Sequence, residues 1–222
     1  MAESPAVIFD MDGVLVDSYD AHYESWRRLA AEHGADYPRD QFARSFGRTS
    51  REILAEDWPV DLTDEQIPAA DRRKEELYRQ IIRADYPGMP GAAELVAAVH
   101  EAGFALAIGS SGPRANIEVV LEQMRAGDCF DAVVSGEDVH RGKPDPEIFR
   151  IAAARLGVPA DRCAVIEDAP LGLEAARRAG MTPIALTGTA TREQLAGAAR
   201  VVDRLDELSP RRIADCLRAG EK

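Results

Sequence analysis

The chain has 222 residues, 45% hydrophobic and 30% charged, with 27 Lys and Arg against 39 Asp and Glu for a net charge of −12. That length and composition supply a core for one large domain, or a domain with a smaller companion, and exclude a disordered chain. The acidic balance repels a nucleic-acid backbone or an anionic membrane, so neither is an expected partner, and an anionic substrate needs local cations or a metal at its site.

Met1 to Pro5 carries no basic stretch followed by a long apolar run, and no apolar run approaches membrane-spanning length. Cys129, Cys163 and Cys216 form no CxxC pair, which points to inert thiols in a reducing compartment. A soluble cytoplasmic protein is expected, monomeric or a small homo-oligomer.

The first apolar run, Ala6 to Phe9, ends at Asp10. Residues 18–84 then hold no convincing strand. Tyr19, Tyr23, Trp26, Leu29 and Ala30 recur at helical spacing before Gly34, and Lys74 to Ile82 predicts another helix. Pro87-Gly88-Met89-Pro90-Gly91 reads as a hinge or linker. Beyond it, Glu94 to His100 is helical up to Gly103, and a second apolar run, Phe104 to Ile108, ends at Gly109-Ser110. Ala132 to Val134 is a third run. Asp145-Pro146 opens a helix with Ile148, Phe149, Ala152 and Leu156 on one face, stopped at Gly157. Cys163 to Ile166 ends at Glu167-Asp168; Leu173, Ala176 and Ala179 precede Gly180; Pro183 to Leu186 and Val201-Val202 close the series. Continuous apolar runs suit strands buried on both faces, and their alternation with helices predicts an α/β doubly wound parallel sheet with a Rossmann-like core. The expected division is a core of residues 1–17 and 85–222, with residues 18–84 inserted as a small helical domain.

Ligands of open α/β sheets bind beyond the carboxyl ends of the strands. There stand Asp10, Asp12, Ser110, Glu167 and Asp168, with Lys143 in the Gly-Lys-Pro-Asp-Pro loop after the third run. Phosphoryl transfer needs that inventory. One carboxylate attacks phosphorus and another exchanges protons with the leaving group and water. Hard oxygen donors suit Mg2+, while Lys and Ser orient and neutralise the transferring oxygens. Read singly, Asp10 and Asp12 could be turn or cap residues, Ser110 and Ser111 could cap the next helix, Lys143 could be a surface lysine, and Glu167 could ligate a metal or stand behind it.

Taken together, the motifs carry a resemblance. VIFDMDGVLVDS at Val7 to Ser18, AIGSSG around Ser110, GKPDPEIF around Lys143 and VIEDAPLGLEAARRAGM around Glu167-Asp168 resemble, in order, the four motifs of the haloacid dehalogenase superfamily. The insertion resembles its small helical cap, and the whole chain resembles the β-phosphoglucomutase-like branch, which includes many sugar phosphatases. The resemblance implies Asp10 as nucleophile and Asp12 as general acid–base. It implies Mg2+ held by Asp10, the Asp12 carbonyl and Asp168, with Glu167 nearby or sharing the role. Ser110 and Lys143 would bind the phosphoryl group, helped by backbone amides of Met11, Asp12 and Ser111. In the cap it implies substrate contacts from His22 and Trp26 (an HxxxW pair), from Arg51 in GRTSRE with Arg48 as a rival, and from Lys74; the same residues could simply pack the cap.

The dehalogenase and phosphonatase branches lack the acid–base Asp that stands here at position 12, which argues for a phosphate ester. The expected function is a Mg2+-dependent phosphatase for a small phosphorylated metabolite, a sugar or polyol phosphate, with the cap closing over it. A β-phosphoglucomutase is the alternative. A phosphoacceptor signalling domain has similar polar residues but is shorter and lacks the insertion and an acid at position 12.

Overall fold

A computed structural model of the chain describes residues 4–45 and 48–219. It divides into two compact units: Met1–Asp17 with Pro87–Lys222, and Ser18–Tyr86.

In the first unit six strands form one parallel sheet: β1 (Ala6–Phe9), β2 (Ala105–Gly109), β3 (Ala132–Val134), β4 (Cys163–Glu167), β5 (Thr182–Leu186) and β6 (Arg200–Val202), in the order β3-β2-β1-β4-β5-β6. The predicted doubly wound sheet is therefore the one present. Every residue of β1 and β4 is buried, as unalternated apolar strands require when helices cover both faces. On one face, Ala6, Ile8, Ala107 and Val165 pack against Ile148, Phe149 and Ala152 of α7 (Glu147–Leu156) and Ala175 and Ala176 of α8 (Pro170–Arg178). Helices α5 (Ala92–Glu101), α6 (Arg114–Met124) and α9 (Pro210–Ala219) complete the unit.

Strand order reverses between β1 and β4, which marks the topological switch point of such sheets. Phe9 pairs with Ile108 on one side and Ile166 on the other. This register sets Asp10 level with the ends of β2 and β4, so three strand ends deliver their polar residues to one place.

The second unit holds α1 (Tyr19–Glu32), α2 (Arg39–Ser45), α3 (Ser50–Glu56) and α4 (Ile67–Ala84), and no strand among its described residues. Its own core is Trp26, Leu29, Tyr37, Phe42, Ile53, Leu54 and Leu77. Helix α4 starts seven positions before the predicted Lys74, with a proline in its first turn. Thr49 and Glu52 form a capping box that starts α3. Asp85 caps α4, so it and Tyr86 fall with the helical unit.

The Pro87–Gly91 segment is tied to the turn after β1. The Asp17 amide donates to the Pro87 carbonyl at 2.8 Å and the Met89 amide to the Leu15 carbonyl at 3.1 Å. Among the described residues no helix is long and apolar enough to cross a membrane. The three cysteines are free thiols, and burial pushes Cys163 up to about 11.

Candidate active site

Asp10 leaves β1 with its amide bonded to the Ile166 carbonyl of β4 at 2.9 Å. The chain then turns tightly. The Met11 carbonyl accepts from the amides of Val14, Leu15 and Val16, and Gly13 takes φ +75°. Glycine is needed here twice over: the left-handed backbone penalises any side chain, and a Cβ would fall onto the Asp168 carboxylate.

Lys143 reaches this point from the loop before α7. Its Nζ donates to Asp10 Oδ1 at 2.7 Å and Glu167 Oε1 at 2.6 Å. It lies over the Phe149 ring, 5.1 Å from the centroid, and that ring in turn packs against Gly109. Asp145 steadies the loop by accepting the Glu147 amide at 3.0 Å. Burial alone would lower the Lys143 ammonium, but the carboxylates of Asp10 and Glu167 outweigh it and hold the group charged, above its ordinary range.

Glu167 is fully engaged by protein. Oε1 takes Lys143, and Oε2 accepts the amides of Asp168 and Ala169, both at 2.9 Å. Gly172 in α8 leaves room for it, since a Cβ there would overlap Oε1. The carboxylates of Asp10, Glu167 and Asp168 each place an oxygen within 4.8 Å of the others. Burial, opposed by Lys143 and reinforced by Glu167, pushes Asp10 up to about 7. Burial together with Glu167 and Asp10 pushes Asp168 well above the carboxylate range. Three crowded, buried carboxylates, two of them (Asp10 and Asp168) with raised proton affinity, are what a hard divalent cation relieves, so the donor set fits Mg2+.

On the other side of Asp10, Ser110 is buried after β2. Its amide bonds the Val134 carbonyl at 3.1 Å, and its Oγ accepts the Gly112 amide at 3.1 Å. Gly112 faces both groups: from its Cβ position Ser110 Oγ lies 3.4 Å away and Asp12 Oδ2 3.9 Å. Asp12, after β1, is half-buried, and Ser111, between Ser110 and Gly112, is exposed. Asp10, Asp12, Ser110, Lys143, Glu167 and Asp168 thus assemble at one end of the sheet.

Thr189 also reaches this cluster, from the loop after β5: its Oγ1 lies 3.1 Å from the Cβ position of Gly13, the same point that Asp168 Oδ2 overlaps. Sequence reading passes over it because an exposed threonine between Gly188 and Ala190 looks like any polar loop residue. The only clue is its place after a strand end.

The four residues singled out in the insertion have different settings within their own unit. Trp26 is interior, packed by Tyr37 and Trp58 with centroids 5.8 and 5.3 Å away. Lys74 is 3% exposed. Its Nζ donates to His22 Nδ1 and Glu75 Oε1, both at 2.9 Å, and lies over the Trp26 and Tyr78 rings. The half-buried His22 ring stacks on Tyr78 at 4.2 Å. Arg51 is exposed, 4.0 Å from Asp71. Arg48 is drawn instead to Glu56 and to the Glu52 carbonyl. Gly47, which opens that motif, lies outside the described residues.

Residues 5–180 match the haloacid dehalogenase-like hydrolase family. The validoxylamine A 7'-phosphate phosphatase of Streptomyces hygroscopicus subsp. limoneus is 35% identical over 209 residues, 90% of this chain and 94% of that protein. A phosphorylated carbohydrates phosphatase of Thermotoga maritima is 33% identical over 183 residues, 81% and 83% of the two chains. The crystal structure of a β-phosphoglucomutase from Clostridium difficile superposes with a TM-score of 0.83 at 26% identity, covering 98% of each chain. A family match across most of the sequence, and a relative this similar along nearly all of it, make the chain a member of the haloacid dehalogenase-like hydrolases.

Proposed function

We propose that the protein is a Mg2+-dependent phosphatase that hydrolyses a small phosphate monoester, a sugar or polyol phosphate, through Asp10. The observation that carries this reading is the Lys143 ammonium bridging Asp10 and Glu167, with Asp168 beside them and Asp12 two residues beyond the nucleophile. The names of the two relatives support the substrate class.

Lys143 takes one Asp10 oxygen, which fixes the carboxylate and leaves the other to attack. That oxygen forms a bond to phosphorus as the bond to the ester oxygen breaks, and Asp12 gives its proton to the departing alkoxide. Asp12, now ionised, takes a proton from water as the water attacks phosphorus and the Asp10–phosphoryl bond breaks. Each group ends as it began. The third N–H of Lys143 and the Ser110 hydroxyl, oriented by the Gly112 amide, donate to the transferring oxygens, with Ser111 as a further donor. Asp10, Asp168 and the Asp12 carbonyl would hold Mg2+, which when bound offsets the repulsion between carboxylate and phosphoryl group. Glu167 keeps Lys143 in place.

A panel of phosphorylated sugars and polyols with Mg2+, run beside Asp10→Asn, tests this. Phosphate release is expected from at least one ester, falling about 10⁴-fold or more in the variant. Phosphate release that survives Asp10→Asn would sink the reading. The likeness to the C. difficile mutase supports a second reading, phosphoryl transfer within a sugar phosphate. Conversion of β-glucose 1-phosphate to glucose 6-phosphate with little phosphate released, lost in Arg51→Ala, would establish it instead.

A further inference from the structure

Asp168 is the member of the acidic cluster with the least cationic help. Lys143 donates to Asp10 and to Glu167, and both of those carboxylates push against Asp168. The carboxylate nevertheless has a fixed place, over Gly13, where a Cβ would overlap it. Thr189 Oγ1 stands over the same glycine, 3.1 Å from that Cβ position, beside the Asp168 carboxylate.

The loop that brings Thr189 here is anchored on both sides. The Thr187 amide donates to the Val202 carbonyl and its Oγ1 to Asp203 Oδ1, both at 2.9 Å, and the Thr191 amide donates to Gln194 Oε1 at 2.9 Å. Between the anchors Gly188 takes φ +142°, a backbone that favours glycine, and the chain bends back toward β4. Thr189 lies beyond residues 5–180, the stretch that matches the family.

We infer that Thr189 is a positioning residue for the metal site: its hydroxyl aims the Asp168 carboxylate, so that Asp168 meets the cation in a single orientation. A hydroxyl suits the task. It donates one hydrogen bond to a carboxylate without bringing a charge that would compete with the cation, and a partner behind a metal ligand both orients it and sustains its donor strength. The exposure of Thr189 means its side chain contributes little to packing, so its removal should leave the fold intact.

This inference rests on the reading of Asp168 as a metal ligand, and the experiment separates the two. Mg2+ alone is titrated calorimetrically into metal-stripped wild type, Thr189→Val, Thr189→Ser and Asp168→Asn. Thr189→Val is expected to bind Mg2+ about 10-fold or more weakly, with unchanged melting of the metal-free protein, while Thr189→Ser, which keeps the hydroxyl, binds within about 2-fold of wild type. In turnover assays the Mg2+ concentration for half-maximal rate should rise in parallel, with KM for the phosphate ester unchanged at saturating Mg2+. Wild-type Mg2+ affinity in Thr189→Val, with binding lost in Asp168→Asn, overturns the role of Thr189 alone. Wild-type affinity in Asp168→Asn overturns the ligand role of Asp168 and this inference with it.

Discussion

Glu167 is the residue whose part the sequence leaves open and the coordinates narrow. A carboxylate in a Glu-Asp pair can ligate a metal directly or serve the groups around it, and spacing cannot tell which. Here the Lys143 ammonium and two backbone amides occupy both of its oxygens. Glu167→Gln keeps the shape but removes the charge that holds Lys143. Turnover should fall about 10²–10³-fold, the range for losing one well-placed electrostatic partner, while Mg2+ affinity changes less than about 3-fold. If Mg2+ affinity falls as far as turnover does, Glu167 is a ligand after all. The residues of the core motifs other than Lys143 were legible because they stand at or just beyond the end of an apolar run, and strand ends converge by topology; Lys143 was legible from its Gly-Lys-Pro-Asp-Pro loop. Thr189 was not, because its partner lies on another strand and only the three-dimensional loop path brings them together.

At the scale of elements, the six apolar runs marked the six strands, most plainly β1, β4 and β5, where burial on both faces leaves no polar interruption to hide them. The helical unit was less legible. Its short helices α2 and α3 offer too few turns for a periodicity to register, and α4 begins in a polar turn with proline. The Thr49–Glu52 capping box was a local signal that apolar spacing does not detect. Helix α8 shows two such local and global demands in opposition. Gly172 weakens the helix, and alanine there should add about 1 kcal/mol of helix propensity. Yet its Cβ would overlap Glu167 Oε1, in a side chain pinned by three hydrogen bonds. Overpacking of this kind costs about 1–3 kcal/mol, so Gly172→Ala should be net destabilising and should lower turnover by displacing Lys143. Chemical denaturation and steady-state assays would check it; a stabilised, fully active variant would mean that Glu167 has room to move.

For the whole molecule, the acidic cluster couples stability to pH and metal. In metal-free protein Asp10 titrates at about 7, above its ordinary value near 3.8, and Asp168 is shifted the same way. The folded state therefore holds more protons than the unfolded chain between roughly pH 4 and 7, so metal-free stability falls as the pH rises through that window. Cation binding needs both groups as carboxylates. Added Mg2+ should thus raise the melting temperature little at pH 5 and by several degrees at pH 8, where chelation reverses the gain. Thermal unfolding with and without Mg2+ across that range checks this, and a shift independent of pH would contradict the assignment of the cluster.

The hydrogen bonds that join Asp17 to Pro87 and Leu15 to Met89 have an evolutionary consequence. They fasten the two ends of the helical excursion side by side on the core. To the sheet, everything between those ends is one surface loop that is already closed, and the entropic cost of such a loop grows only with the logarithm of its length, about 0.6 kcal/mol per doubling. A segment spliced in at this point can lengthen, shrink or be replaced wholesale with little penalty to the register of β1. The phosphate chemistry stays with the strands, and the inserted segment is left open to diversification.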